Sequence, residues 1–251
     1  MALKWSVRRQ LLYYGVALVV AIILVSLGWQ LFFVKTPVCS DGIQNGDETG
    51  VDCGGSCSLI CQDAVRDPVV LWRLPFKTDT NRYTVVAYLR NPNANAGAKD
   101  VPYSFSLFDA QNILVVQKEG TIDLPPTQII PIVEPNINVG SRTVSRVEFA
   151  FGSKPVWKRV NADEVPALRA SAPVPNEDYS RVSTVVYNDD VTEARDTAVV
   201  VIVFDANGTA LAASKSLIPR IAGKSSQSVV FTWSVGAPSA VRAEVRILPA
   251  F

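Results

Sequence analysis

The chain has 251 residues, 24 basic and 23 acidic, so its net charge of +1 leaves no electrostatic footprint for a nucleic-acid partner. It has no histidine, which removes the commonest general base and the commonest metal ligand. No glycine-rich phosphate loop or Gly-x-Ser-x-Gly elbow occurs, so an enzyme is not expected.

Residues 1–10 carry Lys4, Arg8 and Arg9, and residues 11–34 carry no charge. A helix of that length rises about 36 Å, enough to cross a hydrocarbon core of about 30 Å. Tyr13, Tyr14 and Trp29 lie near its ends, at depths that suit amphipathic aromatics. The positive-inside bias places residues 1–10 in the cytoplasm and everything after Lys35 outside. The rival reading is a cleaved signal peptide, with Ser26 and Gly28 at the small-residue positions. Apolar residues continue through Leu31, Phe32, Phe33 and Val34, which favours an uncleaved anchor in a cell membrane.

Residues 35–65 hold all four cysteines, Cys39, Cys53, Cys57 and Cys61. An even count on the exported side of an anchor predicts two disulfides, and four cysteines allow three pairings. The spacings lack the paired Cys-x-x-Cys knuckles of structural zinc sites. Asp41, Asn45, Asp47, Glu48 and Asp52 concentrate oxygen donors between glycines. Such a loop either ligates Ca²⁺ or uses its side chains to hold turns, and Ile43 breaks the EF-hand register. No other cofactor is expected. The string from Cys39 to Cys57, C-x-D-G-I-Q-N-G-D-E-T-G-V-D-C-G-G-x-C, resembles a short cysteine-rich module of exported bacterial surface proteins. The resemblance implies a bacterial envelope setting and no activity.

Sliding the rest of the chain by 96 residues aligns Arg73 with Arg169, Tyr83 with Tyr179, Phe108-Asp109-Ala110 with Phe204-Asp205-Ala206, and Arg146 and Glu148 with Arg242 and Glu244. Asn91 and Asn188 match after a one-residue shift. Residues 66–152 and 163–251 are therefore predicted to be two copies of one domain, joined by a short, restricted linker at 153–162. Val147, Phe149 and Phe151 alternate with Arg146 and Glu148, as in a strand with one buried face. Tyr83, Val85, Ala87 and Leu89 alternate in the same way, whereas residues 199–204 are apolar on both faces, as in a strand covered on two sides. Turn residues recur at intervals, including Asn207-Gly208, which suits a tight hairpin. The fold class is an all-β ectodomain of two tandem immunoglobulin-like or fibronectin-III-like sandwiches behind one N-terminal transmembrane helix. Phe105-Ser106-Leu107-Phe108-Asp109 is similar to the signature of FxLYD-type β-sandwich domains, with Phe108 in place of Tyr; the second copy departs at Val201. That resemblance implies an exported β-sandwich without an assigned activity.

Asp109 and Asp205 read as turn openers. Asn207-Gly208-Thr209 also fits a glycosylation sequon, but a hairpin turn explains it better. Trp72, Trp157 and Trp233 suit core or inter-domain packing, Trp157 least clearly. Trp157, beside Lys154, Lys158 and Arg159, is the candidate exposed contact for a protein partner. The leading expectation is a membrane-anchored, non-enzymatic surface protein for protein binding, adhesion or scaffolding. The alternatives are a structural subunit of a bacterial envelope assembly, packed through Gly15, Ala17, Ala21 and Gly28, and an envelope hydrolase.

Overall fold

The computed structural model describes residues 5–33, 38–161, 164–233 and 236–250. The chain divides into two compact units, Met1–Cys61 and Gln62–Phe251. In the first unit, helix α1 spans Trp5–Phe33. Among the described residues it is the one helix long and apolar enough to cross a membrane, with a mean hydropathy of 2.5 over Arg9–Gln30. Leucine, valine and isoleucine are exposed around it, so it has no polar face to turn to water. The predicted last residue of the span, Val34, and Lys35, from which the exported side was counted, lie outside the described residues, as does Lys4.

Residues 38–61 form a knot of turns with almost no regular structure. Cys39 is bonded to Cys57 and Cys53 to Cys61, which closes overlapping loops. One antiparallel bridge joins Gly50 and Cys53. A segment this short buries little, so cross-links and turn chemistry hold it.

The second unit is built of strands. β1 (Val69–Asp79), β2 (Arg82–Arg90) and β5 (Ile129–Asn138) form one sheet in the order β1-β2-β5. β3 (Ala96–Phe108), β4 (Leu114–Leu124) and β6 (Arg146–Phe151) form a second in the order β4-β3-β6. After β6 comes β7 (Lys158–Arg159), then β8 (Leu168–Ala170), β9 (Val174–Pro175), β10 (Arg181–Asn188) and β11 (Ala194–Phe204). β12 (Ala210–Ile221), β13 (Ser226–Thr232) and β14 (Arg242–Leu248) complete the chain. Their sheets run β13-β10-β8, with β9 also on β10, and β12-β11-β14. Every pairing is antiparallel. The two sandwiches share one strand order, and the register repeats: Phe108 faces Arg146 as Phe204 faces Arg242, and Ser106 faces Glu148 as Ile202 faces Glu244.

A buried asparagine ties the two sheets of each sandwich. Asn91 donates its side-chain amide to the carbonyls of Ala96, Leu124 and Pro125, and its Oδ1 accepts the amide of Asn93. Asn188 donates to the carbonyls of Thr192, Ile221 and Ala222 and accepts the amide of Asp190. Carbonyls left by the strand ends thus find donors that the ladders cannot supply.

The sandwiches pack sheet on sheet. β1, β2 and β5 lie against β12, and β5 also lies against β14. This covers both faces of β2, where Tyr83 to Leu89 are all buried. The alternation seen in sequence places Tyr83, Val85, Ala87 and Leu89 toward the first core, but Thr84, Val86 and Tyr88 are buried too, because the second sandwich covers them. β11 is the counterpart. Val199, Val201 and Val203 belong to the second core, while Val200 and Ile202, between them, are equally buried outside it. The predicted two-sided burial of residues 199–204 comes from a neighbouring sandwich.

The segment expected to be a linker is docked. β7 pairs with Ala96 and Gly97, and Val160 donates to the Asn95 carbonyl. The side chain of Gln62 donates to the Pro155 carbonyl. Ala162 and Asp163 lie outside the described residues.

Candidate functional site

The cysteine-rich segment places four of its five oxygen-bearing side chains on local backbone and the fifth, Asp47, on a serine hydroxyl. Asp52 accepts the amides of Asp41 and Gly42, both at 2.9 Å. Asp41 accepts from Ile43 and from the Asn45 side chain, and Asn45 Oδ1 accepts the Val38 amide. Asp47 accepts the Ser56 hydroxyl. Glu48 is buried, accepts the amides of Asn45 and Asp52, and sits 3.3 Å from the Cys57 sulfur. Glycines make the path feasible: a Cβ on Gly54 would meet Thr49 Oγ1 at 1.9 Å, and one on Gly55 would meet the Asp47 carbonyl at 2.1 Å. Among the described residues, the one cluster with three metal-capable side chains is Cys39, Glu48 and Cys57, and its two sulfurs are bonded to each other. Asp41, Asn45, Glu48 and Asp52 thus accept backbone amides, and Asp47 accepts a side-chain hydroxyl.

Of its two readings, Trp157 takes packing and not the exposed contact. It is 1% exposed, among the largest fully buried side chains of the second unit, so it offers no surface to a partner. Burial of the indole outweighs the basic neighbours that suggested an exposed contact: Lys154, Lys158 and Arg159 stay exposed, while the ring between them turns inward. Among the described residues its Nε1 finds no acceptor. Trp72 stacks on Tyr88 at 4.8 Å, and Trp233 packs on the second core while donating to the Ala213 carbonyl at 3.3 Å.

The polar centre of the second unit lies where the sandwiches meet. The Tyr88 hydroxyl donates to Glu244, which is held on its own strand by Arg242 at 3.0 Å and Arg246 at 2.6 Å. Burial pushes the Tyr88 hydroxyl up to about 12, and the carboxylate it serves adds to the shift. Burial would raise Glu244 too, but hydrogen bonds from Tyr88, Arg246 and Arg242 outweigh it and hold the carboxyl below its ordinary range. In sequence Glu244 aligns with Glu148 on a strand's polar face, and nothing in that pattern signals a partner from the other sandwich.

The equivalent face of the first sandwich is free. Arg146 lies over the Phe108 ring at 4.3 Å, as Arg242 lies over Phe204 at 4.2 Å. Arg146 also bonds Glu148, and both remain exposed. The residues on β3 that match Val200 and Ile202 are Ser104 and Ser106. Valine and isoleucine stand where the sheet is covered, and serines where water meets it.

A cleft of about 350 Å³ opens at one end of the interface, lined by Phe76, Arg82 and Asn136 from the first sandwich and Ala213, Trp233 and Ala237 from the second. Arg82 is not a free cation there, because it donates to the Asn136 side chain at 2.9 Å. Asp109 and Asp205 open turns, as expected, by accepting two backbone amides each.

No family model matches the chain, and no curated protein is significantly similar to it. Among solved structures, a match is the crystal structure of red sea bream transglutaminase, at 11% identity and a TM-score of 0.25. The match covers 72% of this chain and 29% of the transglutaminase chain.

Proposed function

We propose that this protein is a membrane-anchored, non-enzymatic scaffold that presents a rigid two-sandwich block to protein partners on the non-cytoplasmic side. The observation that carries the reading is the burial of β2 and β11 on both faces. Two sandwiches packed through β1, β2 and β5 against β12, and through β5 against β14, form one block, which suits a part that holds a partner in place rather than one that closes around a substrate. The helix supplies the anchor, and the paired cysteines fit an oxidising exterior. The duplicated register supports a tandem, immunoglobulin-like origin of the two domains.

The test is affinity isolation of the tagged full-length chain from membranes after chemical cross-linking. Recovery of one protein in fixed stoichiometry, lost when the two sandwiches are exchanged for an unrelated pair, supports the scaffold. Recovery retained after that exchange, but lost when α1 is exchanged, favours the envelope-assembly reading through helix contacts. A chain that cross-links to nothing removes both.

A further inference from the structure

Two hairpin turns with one architecture allow the demands of the fold to be separated from other demands on the sequence. Asp109 to Ile113 joins β3 to β4, and Asp205 to Thr209 joins β11 to β12. In each, the first residue is an aspartate whose Oδ1 accepts the amides of the third and fifth residues: Gln111 and Ile113 in one, Asn207 and Thr209 in the other. In each, the first amide donates to the fifth carbonyl, and the fourth residue donates to the first carbonyl. That fourth residue has positive φ, +62° at Asn112 and +79° at Gly208. The turn thus specifies aspartate at the first place and a residue tolerant of positive φ at the fourth. It uses only backbone at the third and fifth, where the first turn has Gln111 and Ile113.

In the second turn those two unconstrained places hold Asn207 and Thr209, which complete the one Asn-x-Ser/Thr sequence in the chain. Both are exposed. Among the described residues, neither the Asn207 side-chain amide nor the Thr209 hydroxyl has a hydrogen-bond partner. The turn accounts for Asp205 and Gly208 and leaves the acceptor amide and the hydroxyl two residues on without a structural duty.

We propose that Asn207 is an acceptor for an N-linked oligosaccharide. The donor class is an oligosaccharide carried on a lipid diphosphate, used by a membrane oligosaccharyl transferase. The Asn207 amide nitrogen forms a bond to the anomeric carbon as the bond from that carbon to the diphosphate oxygen breaks. The lipid diphosphate leaves with the electron pair, and the amide gives one proton to a base of the transferase. Thr209 supplies the hydroxyl that the transferase recognises. The inference rests on the reading that the second unit lies on the non-cytoplasmic side, where such transfer takes place.

The experiment uses full-length protein expressed in cells that carry such a transferase and purified from their membranes. Intact mass and peptide mapping are read on the wild type, Thr209→Ser, Thr209→Val and Asn207→Gln. Thr209→Val keeps the fold, since Ile113 occupies that place in the sister turn. Wild type and Thr209→Ser gain the mass of an oligosaccharide on the peptide containing Asn207; Thr209→Val and Asn207→Gln do not. The state of the four cysteines is read on the same sample. An unmodified Asn207 in molecules whose cysteines are oxidised overturns the site while leaving the topology intact. An unmodified Asn207 with all four cysteines reduced overturns the topology and the site together.

Discussion

The hydroxyl of Tyr88 on β2 donates to the carboxylate of Glu244 on β14, across the boundary between two sandwiches and 156 residues along the chain. Two arginines on the strand of Glu244 complete the cluster, and Trp72 stacks on the Tyr88 ring. The contact turns two domains that share a topology into one body with a defined face-to-face arrangement.

Its pH dependence follows from the direction of each shift. Tyr88 is raised from 10.0 to about 12, so folding favours its neutral form. The stability it lends is full below pH 10 and is lost as pH rises toward the folded value. Glu244 is lowered from its ordinary 4.5, so its contribution is present above that value and is lost as pH falls through the depressed one. Tyr88→Phe is expected to cost about 1.5–3 kcal/mol at neutral pH, the range for a hydrogen bond to a charged group. Urea titrations at pH 8 and pH 11 check it. The gap between wild type and Tyr88→Phe shrinks at pH 11; an unchanged gap places the coupling elsewhere.

The disulfide knot is expected to unfold alone. Chain-entropy estimates give about 3 kcal/mol for a loop the size of Cys39–Cys57. Because residues up to Cys61 form a unit separate from the sandwiches, reduction should melt the knot and leave the β-sheet signal in place. Circular dichroism and limited proteolysis with and without reductant check this. Added Ca²⁺ or a chelator is expected to leave the melting of the oxidised knot unchanged, since all five oxygen-bearing side chains already accept local hydrogen bonds; a clear calcium-dependent rise would establish the ion site.

Asn91 and Asn188 are expected to be the costliest single polar positions. Each sends one amide group to three carbonyls from inside its sandwich. Alanine at either leaves those carbonyls unsatisfied, at about 2–4 kcal/mol. Aspartate should be worse, because it retains the acceptor but aims a negative charge at the same oxygens. Equilibrium denaturation ranks them, and a mild Asn91→Asp contradicts the account.

The strands and the long apolar helix were legible because each rests on local pattern: twenty-odd uncharged residues, or alternation at every second position. The limits of that reading show at Tyr88 and Trp157. Tyr88 sat on the side of β2 that alternation assigns to solvent, and only contact between copies buries it. At Trp157 the flanking lysines and arginine kept an exposed contact open beside packing, and the segment's pairing with Ala96 and Gly97 decides for the buried ring. Both outcomes depend on contacts far along the chain, which no window of neighbouring residues contains. The disulfide pairing was open for the same reason: spacing counts residues, whereas turns at Gly42, Gly46, Gly54 and Gly55 decide which sulfurs meet.

The choice of docking face is written in two pairs of side chains, and exchanging them tests it. Val200 and Ile202 are fully buried against the first sandwich, and their matches Ser104 and Ser106 are half-buried on a free face. Val200→Ser with Ile202→Ser removes about 1.5–3 kcal/mol of apolar burial at each place and leaves two hydroxyls without water. The sandwich cores stay intact, because Val199, Val201 and Val203 point the other way. The expected outcome is a larger radius of gyration in small-angle scattering and two unfolding transitions in place of one. Ser104→Val with Ser106→Ile does the converse: it extends an apolar stripe beside the exposed Arg146 and Glu148, and should drive concentration-dependent self-association by sedimentation. If the first double variant stays compact and unfolds in one step, the sheet faces do not hold the block together, and the short docked connection through Trp157 must do so instead.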